Sequence, residues 1–252
     1  MRRDFVWYEL MTPDKVAAEA FYGAVVGWTM ADSGMPGGVY TLAKVGDRPV
    51  AGLMAPQPGC GPTSGSGWLG YVGVDDVAGS VDRVKAAGGA LLFGPMVVDG
   101  VGSFAVVADP QGAAIGLFAP EFDTTPLPTM SPGSIGWHEL TTTDAEAAFG
   151  FYADLFGWAK DVAHPMPGLG DYRLFATARG AIGGMMKNPV GPGAFWGYVF
   201  AVDDIDAAAR RLTEAGGTIV NGPMEVPGGA FVVQANDPQG VFFSLVGLRR
   251  AG

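Results

Sequence analysis

Two glutamates recur in the same short setting: Trp7-Tyr8-Glu9-Leu10 returns as Trp137-His138-Glu139-Leu140. A carboxylate held among large apolar side chains has a raised pKa and can act as a general acid or base, so Glu9 and Glu139 are candidate catalytic residues. The same recurrence also suits a buried structural glutamate bonded to backbone or to a nearby hydroxyl. Few other groups could do chemistry. The chain has two histidines, His138 and His164, and one cysteine, Cys60. Alternation puts His138 on the side of its strand facing away from Glu139, where a core histidine is expected; a register shift of one residue would bring it to Glu139's side. His164 is read in a Pro/Gly loop before Pro165. A site of two histidines and one carboxylate would need both, and they stand on unlike elements. Cys60 lies in a Pro/Gly/Ser stretch and reads as an incidental thiol, with no disulfide available to it. Asp75-Asp76 and Asp203-Asp204 look like paired acids, but each pair stands where a strand hands over to a helix, the place of a helix cap. Gly88-Gly89 and Gly216-Gly217 follow helices, whereas a phosphate loop precedes one. Neither a dinucleotide fingerprint, nor a Gly-Lys-Ser/Thr loop, nor a serine elbow is present.

The elements that must position these residues come in copies. Phe21-Tyr22 and Gly27-Trp28 return as Phe151-Tyr152 and Gly157-Trp158, at the offset of 130 (139 − 9) that relates the two glutamates. Later landmarks keep an offset of 128 (237 − 109): Asp75-Asp76 with Asp203-Asp204, Gly94-Pro95-Met96 with Gly222-Pro223-Met224, and Asp109-Pro110-Gln111-Gly112 with Asp237-Pro238-Gln239-Gly240. So many ordered matches make the chain a tandem duplication. Domain 1 is expected at 4–119 and domain 2 at 134–248, with a Pro/Thr/Ser-rich linker at 120–133.

Each domain reads as two β-α-β-β-β units. In the first unit a strand at 5–11 leads into a helix capped by Thr12, with Pro13 at its first position, that runs to Val26. Strands follow near 28–33, 39–45 and 49–54. The second unit repeats the order: a strand at 68–74, a helix from Asp76 to Ala87, and strands near 90–97, 103–108 and 113–118. In domain 2, Thr143 with Glu146 reads as a capping box. The fold class is therefore α+β: four units in mixed, curved sheets, with helices on one face and clefts enclosed by the other. Alternation sends Val6, Tyr8 and Leu10 to the helix side, and Phe5, Trp7 and Glu9 to the cleft.

Bulk properties narrow the partners. The net charge is −10 over 252 residues, and no run of Lys or Arg interrupts it. A polyphosphate would be repelled, so nucleic acid is not expected, and neutral or cationic ligands are favoured. No stretch of eighteen apolar residues argues for a membrane span, and a cytoplasmic location is expected.

The four β-α-β-β-β units, the Phe-Tyr…Gly-Trp helix end, the Val-Asp-Asp helix start and the Asp-Pro-Gln-Gly turn together resemble the vicinal oxygen chelate superfamily, which groups glyoxalases, bleomycin-resistance proteins and extradiol dioxygenases. The Trp-x-Glu-Leu starts resemble a two-domain actinobacterial, hydroxylase-like subgroup. In metal-using members a divalent ion is held by His, Glu or Gln on the first and last strands of paired units. Carried over by position, those places fall on Trp7, Tyr71, Gly52 and Gly116 in domain 1, and on Trp137, Tyr198, Gly184 and Ser244 in domain 2. None is a usual ligand, so no metal or other cofactor is expected. Large rings on one wall and glycine on the other describe a cleft with flat stacking surfaces, and the same rings could equally fill it as core. The expected ligand-binding residues are Trp7, Tyr71, Trp137, Tyr198, Tyr40 and Tyr172. The resemblance implies a metal-independent protein that binds a small apolar or aromatic molecule. The alternative it leaves open is a glyoxalase-, dioxygenase- or hydroxylase-like enzyme that uses Glu9 or Glu139, or a metal at shifted positions. A monomer or a homodimer would serve either.

Overall fold

The computed structural model describes residues 3–35, 38–56, 67–168, 170–189 and 191–250; Cys60 lies outside them. Sixteen strands and four helices among these residues form two eight-stranded mixed sheets of the same topology. In the first half, β1 (Phe5–Met11), α1 (Lys15–Val26), β2 (Thr29–Asp32), β3 (Tyr40–Val45) and β4 (Arg48–Met54) make one unit. The next comprises β5 (Gly67–Gly73), α2 (Val77–Ala86), β6 (Ala90–Val98), β7 (Gly102–Ala108) and β8 (Ala114–Pro120). The second half repeats this with β9 (Ile135–Thr142), α3 (Ala145–Phe156), β10 (Ala159–Met166), β11 (Gly170–Thr177), β12 (Gly180–Lys187), β13 (Phe195–Ala201), α4 (Ile205–Glu214), β14 (Thr218–Val226), β15 (Ala230–Asn236) and β16 (Phe242–Gly247). The strand order is β2-β3-β4-β1-β5-β8-β7-β6 and its equivalent. The first strands of paired units, β1 and β5, thus lie side by side, antiparallel, at the centre. Among the described residues no helix is long and apolar enough to cross a membrane.

Local chemistry sets the helix ends, with two corrections to the expected caps. Asp14, not Thr12, caps α1: its carboxylate accepts from the Ala17 N–H at 3.0 Å. Thr12 is still tied to the sheet, its N–H donating to Met54 O at 3.0 Å, so the chain turns into the helix only after Pro13. Likewise Asp144 caps α3 by accepting from the N–H groups of Glu146 and Ala147, while the Glu146 side chain pairs with Lys160 instead of closing a capping box. Asp76 and Asp204 cap α2 and α4. Helices α1 and α3 end at Gly27 and Gly157 with φ of 86° and 71°, the left-handed conformation that glycine adopts without penalty.

The sequence landmarks turn out to be the joint between the halves. The Tyr22 hydroxyl donates to Asp237 Oδ2 at 3.1 Å and receives the Trp68 indole N–H at 3.0 Å. Tyr152 does the same with Asp109, at 3.0 Å, and Trp196, at 3.0 Å. Trp28 donates to Gly133 O and Trp158 to Arg3 O, each reaching the chain just before the other half's first strand. Arg83 on α2 donates to the Asp154 and Leu155 carbonyls at the end of α3, and Arg211 on α4 to Val25 O at the end of α1, serving carbonyls that a helix leaves unpaired. One apolar core runs through both halves around these ties.

Candidate functional site

Strand alternation and one irregularity decide what faces the cleft of the first half. β1 pairs with β5 through Trp7↔Tyr71 and Glu9↔Leu69, and the register slips between Phe5 and Trp7. That bulge reverses the expected side of Phe5. Phe5 joins the central core, stacked on His138 at 3.9 Å, whereas Val6 packs with Trp7 and Tyr71. Trp7 and Glu9 do line the cleft, with Tyr40 from β3 and Tyr71 from β5.

The cleft has a volume of about 690 Å³, within the usual range for a site that takes a drug-sized molecule. Rings dominate its wall: besides Trp7, Tyr40 and Tyr71 it is lined by Phe93, Phe104, Phe118 and Phe122. Those four phenylalanines were not among the expected ligand contacts. Phe118 was legible, because it stands two residues beyond Gly116 on one face of a strand, and Phe104 is its cross-strand partner. Phe122 was not, because it lies beyond the last strand, where alternation no longer speaks. It reaches Trp7 edge-on at 5.9 Å.

At the base lies Glu9, only 8% exposed. Tyr40 donates to its Oε1 and Tyr71 to its Oε2, both at 2.7 Å, while the Trp7 indole N–H donates to the Tyr40 hydroxyl at 3.0 Å. Burial pushes the Glu9 pKa up, against the two phenol bonds that favour its ionised form.

The glycines explain the rings. A Cβ on Gly52 would overlap the Tyr40 phenol, and one on Gly116 would overlap the Tyr71 ring. The last-strand positions are bare because tyrosines from neighbouring strands occupy the space in front of them.

The second half repeats part of this. Trp137 donates to Tyr172, and Tyr172 to Glu139 Oε1, both at 2.8 Å. Burial raises the Glu139 pKa, opposed by the Tyr172 bond, and a Cβ on Gly184 would overlap the Tyr172 ring. Tyr198, however, does not stand where Tyr71 does. It pairs across the strands with His138, and it is Val199 that pairs with Trp137. The shared Gly-Tyr-Val string misplaces the match by one residue, whereas the offset of 128 from Asp75 and Asp203 leads from Tyr71 to Val199. Tyr198 is buried in the joint, its hydroxyl oxygen accepting the Gly70 N–H at 2.6 Å.

His138 stays on the core side, 4% exposed. The Tyr8 hydroxyl lies 2.6 Å from its Nε2, and its Nδ1 lies 2.6 Å from Ile182 O. A proton on Nδ1 donates to that carbonyl and leaves Nε2 as an acceptor beside the Tyr8 hydroxyl, which also lies 3.1 Å from Ile135 O. Burial lowers the His138 pKa to about 3, with the Ile182 bond pulling the other way. His164 is exposed and belongs to β10 rather than to a loop, opposite Tyr172 in register.

The chain matches the model of the Glyoxalase/Bleomycin resistance protein/Dioxygenase superfamily over residues 134–245. It is 33% identical over 245 residues to the putative glyoxylase CFP32 of Mycobacterium tuberculosis, covering 95% of this chain and 93% of that one. It is 34% identical over 261 residues to the anthracycline biosynthesis protein DnrV of Streptomyces peucetius, covering 96% and 92%. Its fold matches the Mn(II)-bound glyoxalase from Novosphingobium aromaticivorans with a TM-score of 0.65 at 18% identity, over 99% of this chain and 82% of that one. The residues here do not fit such an ion. An indole and two glycines offer it no donor, Tyr71 donates to Glu9, and both Glu9 oxygens already accept phenols. Among the described residues no group of three or more His, Cys, Asp or Glu is placed to hold a metal.

Proposed function

The chain belongs to the vicinal oxygen chelate superfamily, and we propose that within it the protein works without a metal, holding a small flat aromatic molecule in the cleft of its first half. One observation carries the reading: the phenols of Tyr40 and Tyr71 fill the space before Gly52 and Gly116, and the cleft left above them is walled by aromatic rings. Such rings favour a planar ligand, each stacked pair adding about 0.5–1.5 kcal/mol beyond the area it buries. The relative named for anthracycline biosynthesis accords with a ligand of fused rings.

Titration with flat aromatic probes, followed by tryptophan fluorescence and set beside elemental analysis after incubation with Fe, Mn, Ni and Zn, tests this. Quenching that weakens in a Trp7→Phe variant, in protein without stoichiometric metal, is the expected result. One tightly held transition ion per chain, lost when Tyr71 or Glu9 is replaced, would sink the reading.

A second reading has its own support. Glu9 is an ionisable group in the wall of the cleft whose pKa is raised by burial, as a general acid or base requires. Under it, Glu9→Gln removes turnover; under binding alone, the variant keeps its affinity for an uncharged ligand.

A further inference from the structure

We infer that the cleft of the first half selects flat aromatic molecules that carry a positive charge, such as an amine-bearing fused ring system, over neutral or anionic ones of the same shape. The inference rests on the binding reading above and adds the ligand's charge to it. Two carboxylates line the cleft, Glu9 at its base and Asp99 at an exposed position. No lysine, arginine or histidine lines it among the described residues, and segments 36–37 and 57–66 contain no charged residue. Among the described residues an anion entering the cleft therefore meets no compensating charge in its wall.

The bonding of Glu9 supports a carboxylate charge. Each of its oxygens accepts a phenol O–H at 2.7 Å, which matches the acceptor-only character of an ionised carboxylate. Those two bonds favour the ionised form, while burial works against it. The same cleft is lined by the rings of Trp7, Tyr71, Phe104 and Phe118. Aromatic faces attract cations through the ring quadrupole, most strongly where water is excluded. A ring system bearing an ammonium group satisfies both features at once, stacking its plane and directing its charge toward Glu9. The second half lacks this combination: Asp99 is matched by Pro227, and Phe104 and Phe118 by Val232 and Val246.

Three anthracenes bearing an aminomethyl, a methyl or a carboxylate group on the central ring test it, titrated into the full chain near neutral pH. The aminomethyl compound is expected to bind about tenfold or more tightly than the methyl compound, a difference of about 1.4 kcal/mol, with the carboxylate weakest. Glu9→Gln should cut that preference, read as the ratio of the aminomethyl and methyl affinities within the same variant, to about threefold or less. If that variant fails to fold, the wild-type protein still decides: added salt should weaken the aminomethyl compound and spare the methyl one. Equal binding of all three would overturn the charge preference and leave the cleft reading standing. No binding of any of the three would overturn the cleft reading, and the charge preference with it.

Discussion

Where the first half sets Tyr71, Phe93, Phe104, Phe118 and Phe122, the second half has Val199, Asn221, Val232, Val246 and Arg250 at the same offset. Both halves keep a Trp–Tyr–Glu relay on matching strands, Trp7–Tyr40–Glu9 and Trp137–Tyr172–Glu139. Only the first adds a second phenol on its glutamate. Glu9 is buried and Glu139 half-buried. Much of what both halves keep holds the sheets and the joint together, and the ring-for-aliphatic differences cluster on the cleft face of the first half. A duplication frees one copy's cleft to specialise so long as the other still supports the shared core. The Trp–Tyr–Glu relay is thus common to both halves, and under the proposed binding the phenylalanine wall and the second phenol on Glu9 are what set the first cleft apart.

The largest effect should come from the core, where Tyr8 and His138 break the symmetry. His138 has a folded pKa lowered to about 3 from an ordinary 6.5. Between those values the unfolded chain binds the extra proton, so this contribution is full above pH 6.5 and drains away as the pH falls toward 3, on the order of 5 kcal/mol in all. Glu9 and Glu139 act with the opposite sign. Their folded pKa values are raised, so their contribution is full below the ordinary carboxylate value and is lost as the pH rises through the raised one. Urea unfolding at pH 7.5 and pH 4.5 should show His138→Gln losing much less stability on acidification than wild type. An unchanged difference between the two pH values would place the acid sensitivity elsewhere.

Next comes the space that tyrosines fill. Gly116→Val should destabilise the protein by about 1–3 kcal/mol, because its side chain must displace the Tyr71 ring. Adding Tyr71→Val, the second half's residue, should restore most of that stability. Thermal melts of the single and double variants decide the point. A single variant as stable as wild type would show that Tyr71 moves aside readily, leaving room for a last-strand ligand after all.

A sharper contrast comes from converting one wall into the other. Phe104→Val with Phe118→Val gives the first half the residues of the second, and should weaken a flat aromatic probe about tenfold to a hundredfold, at 1.4 kcal/mol per tenfold. Trp137→Phe should leave that affinity within about threefold. Fluorescence titration checks both, and a stronger effect from Trp137 would move the site to the second half.

How much of this the residues announced divides along the same line. Binary alternation, the helix punctuation and the repeated landmarks disclosed the β-α-β-β-β units, because those signals are local. Glu9, Trp7, Tyr40 and Tyr71 were legible as a group because they sit at alternating positions on strands that the repeat had already aligned. Three features depend on register instead: the bulge that turns Phe5 into the core, the one-residue error that promoted Tyr198 over Val199, and the edge strand that carries His164. A bulge leaves the pattern of residue types on either side of it intact, so alternation reads straight through it. The interlocking of Tyr22 with Asp237 and of Tyr152 with Asp109 was equally hidden, since each landmark's partner lies in the other copy.

That interlocking supplies the smallest expected difference. Tyr22→Phe leaves the Trp68 indole N–H and Asp237 Oδ2 without their partner, and Tyr152→Phe does the same to Trp196 and Asp109. Each should cost about 1–3 kcal/mol, the penalty for stranding buried polar groups. Because the two ties have the same members, the two losses should agree within about 0.5 kcal/mol, and the double variant should be close to their sum if the ties do not couple. Denaturant midpoints of the two single variants and the double measure this. A loss confined to Tyr22 would mean that the joint has diverged along with the clefts, and that the halves no longer share one supporting core.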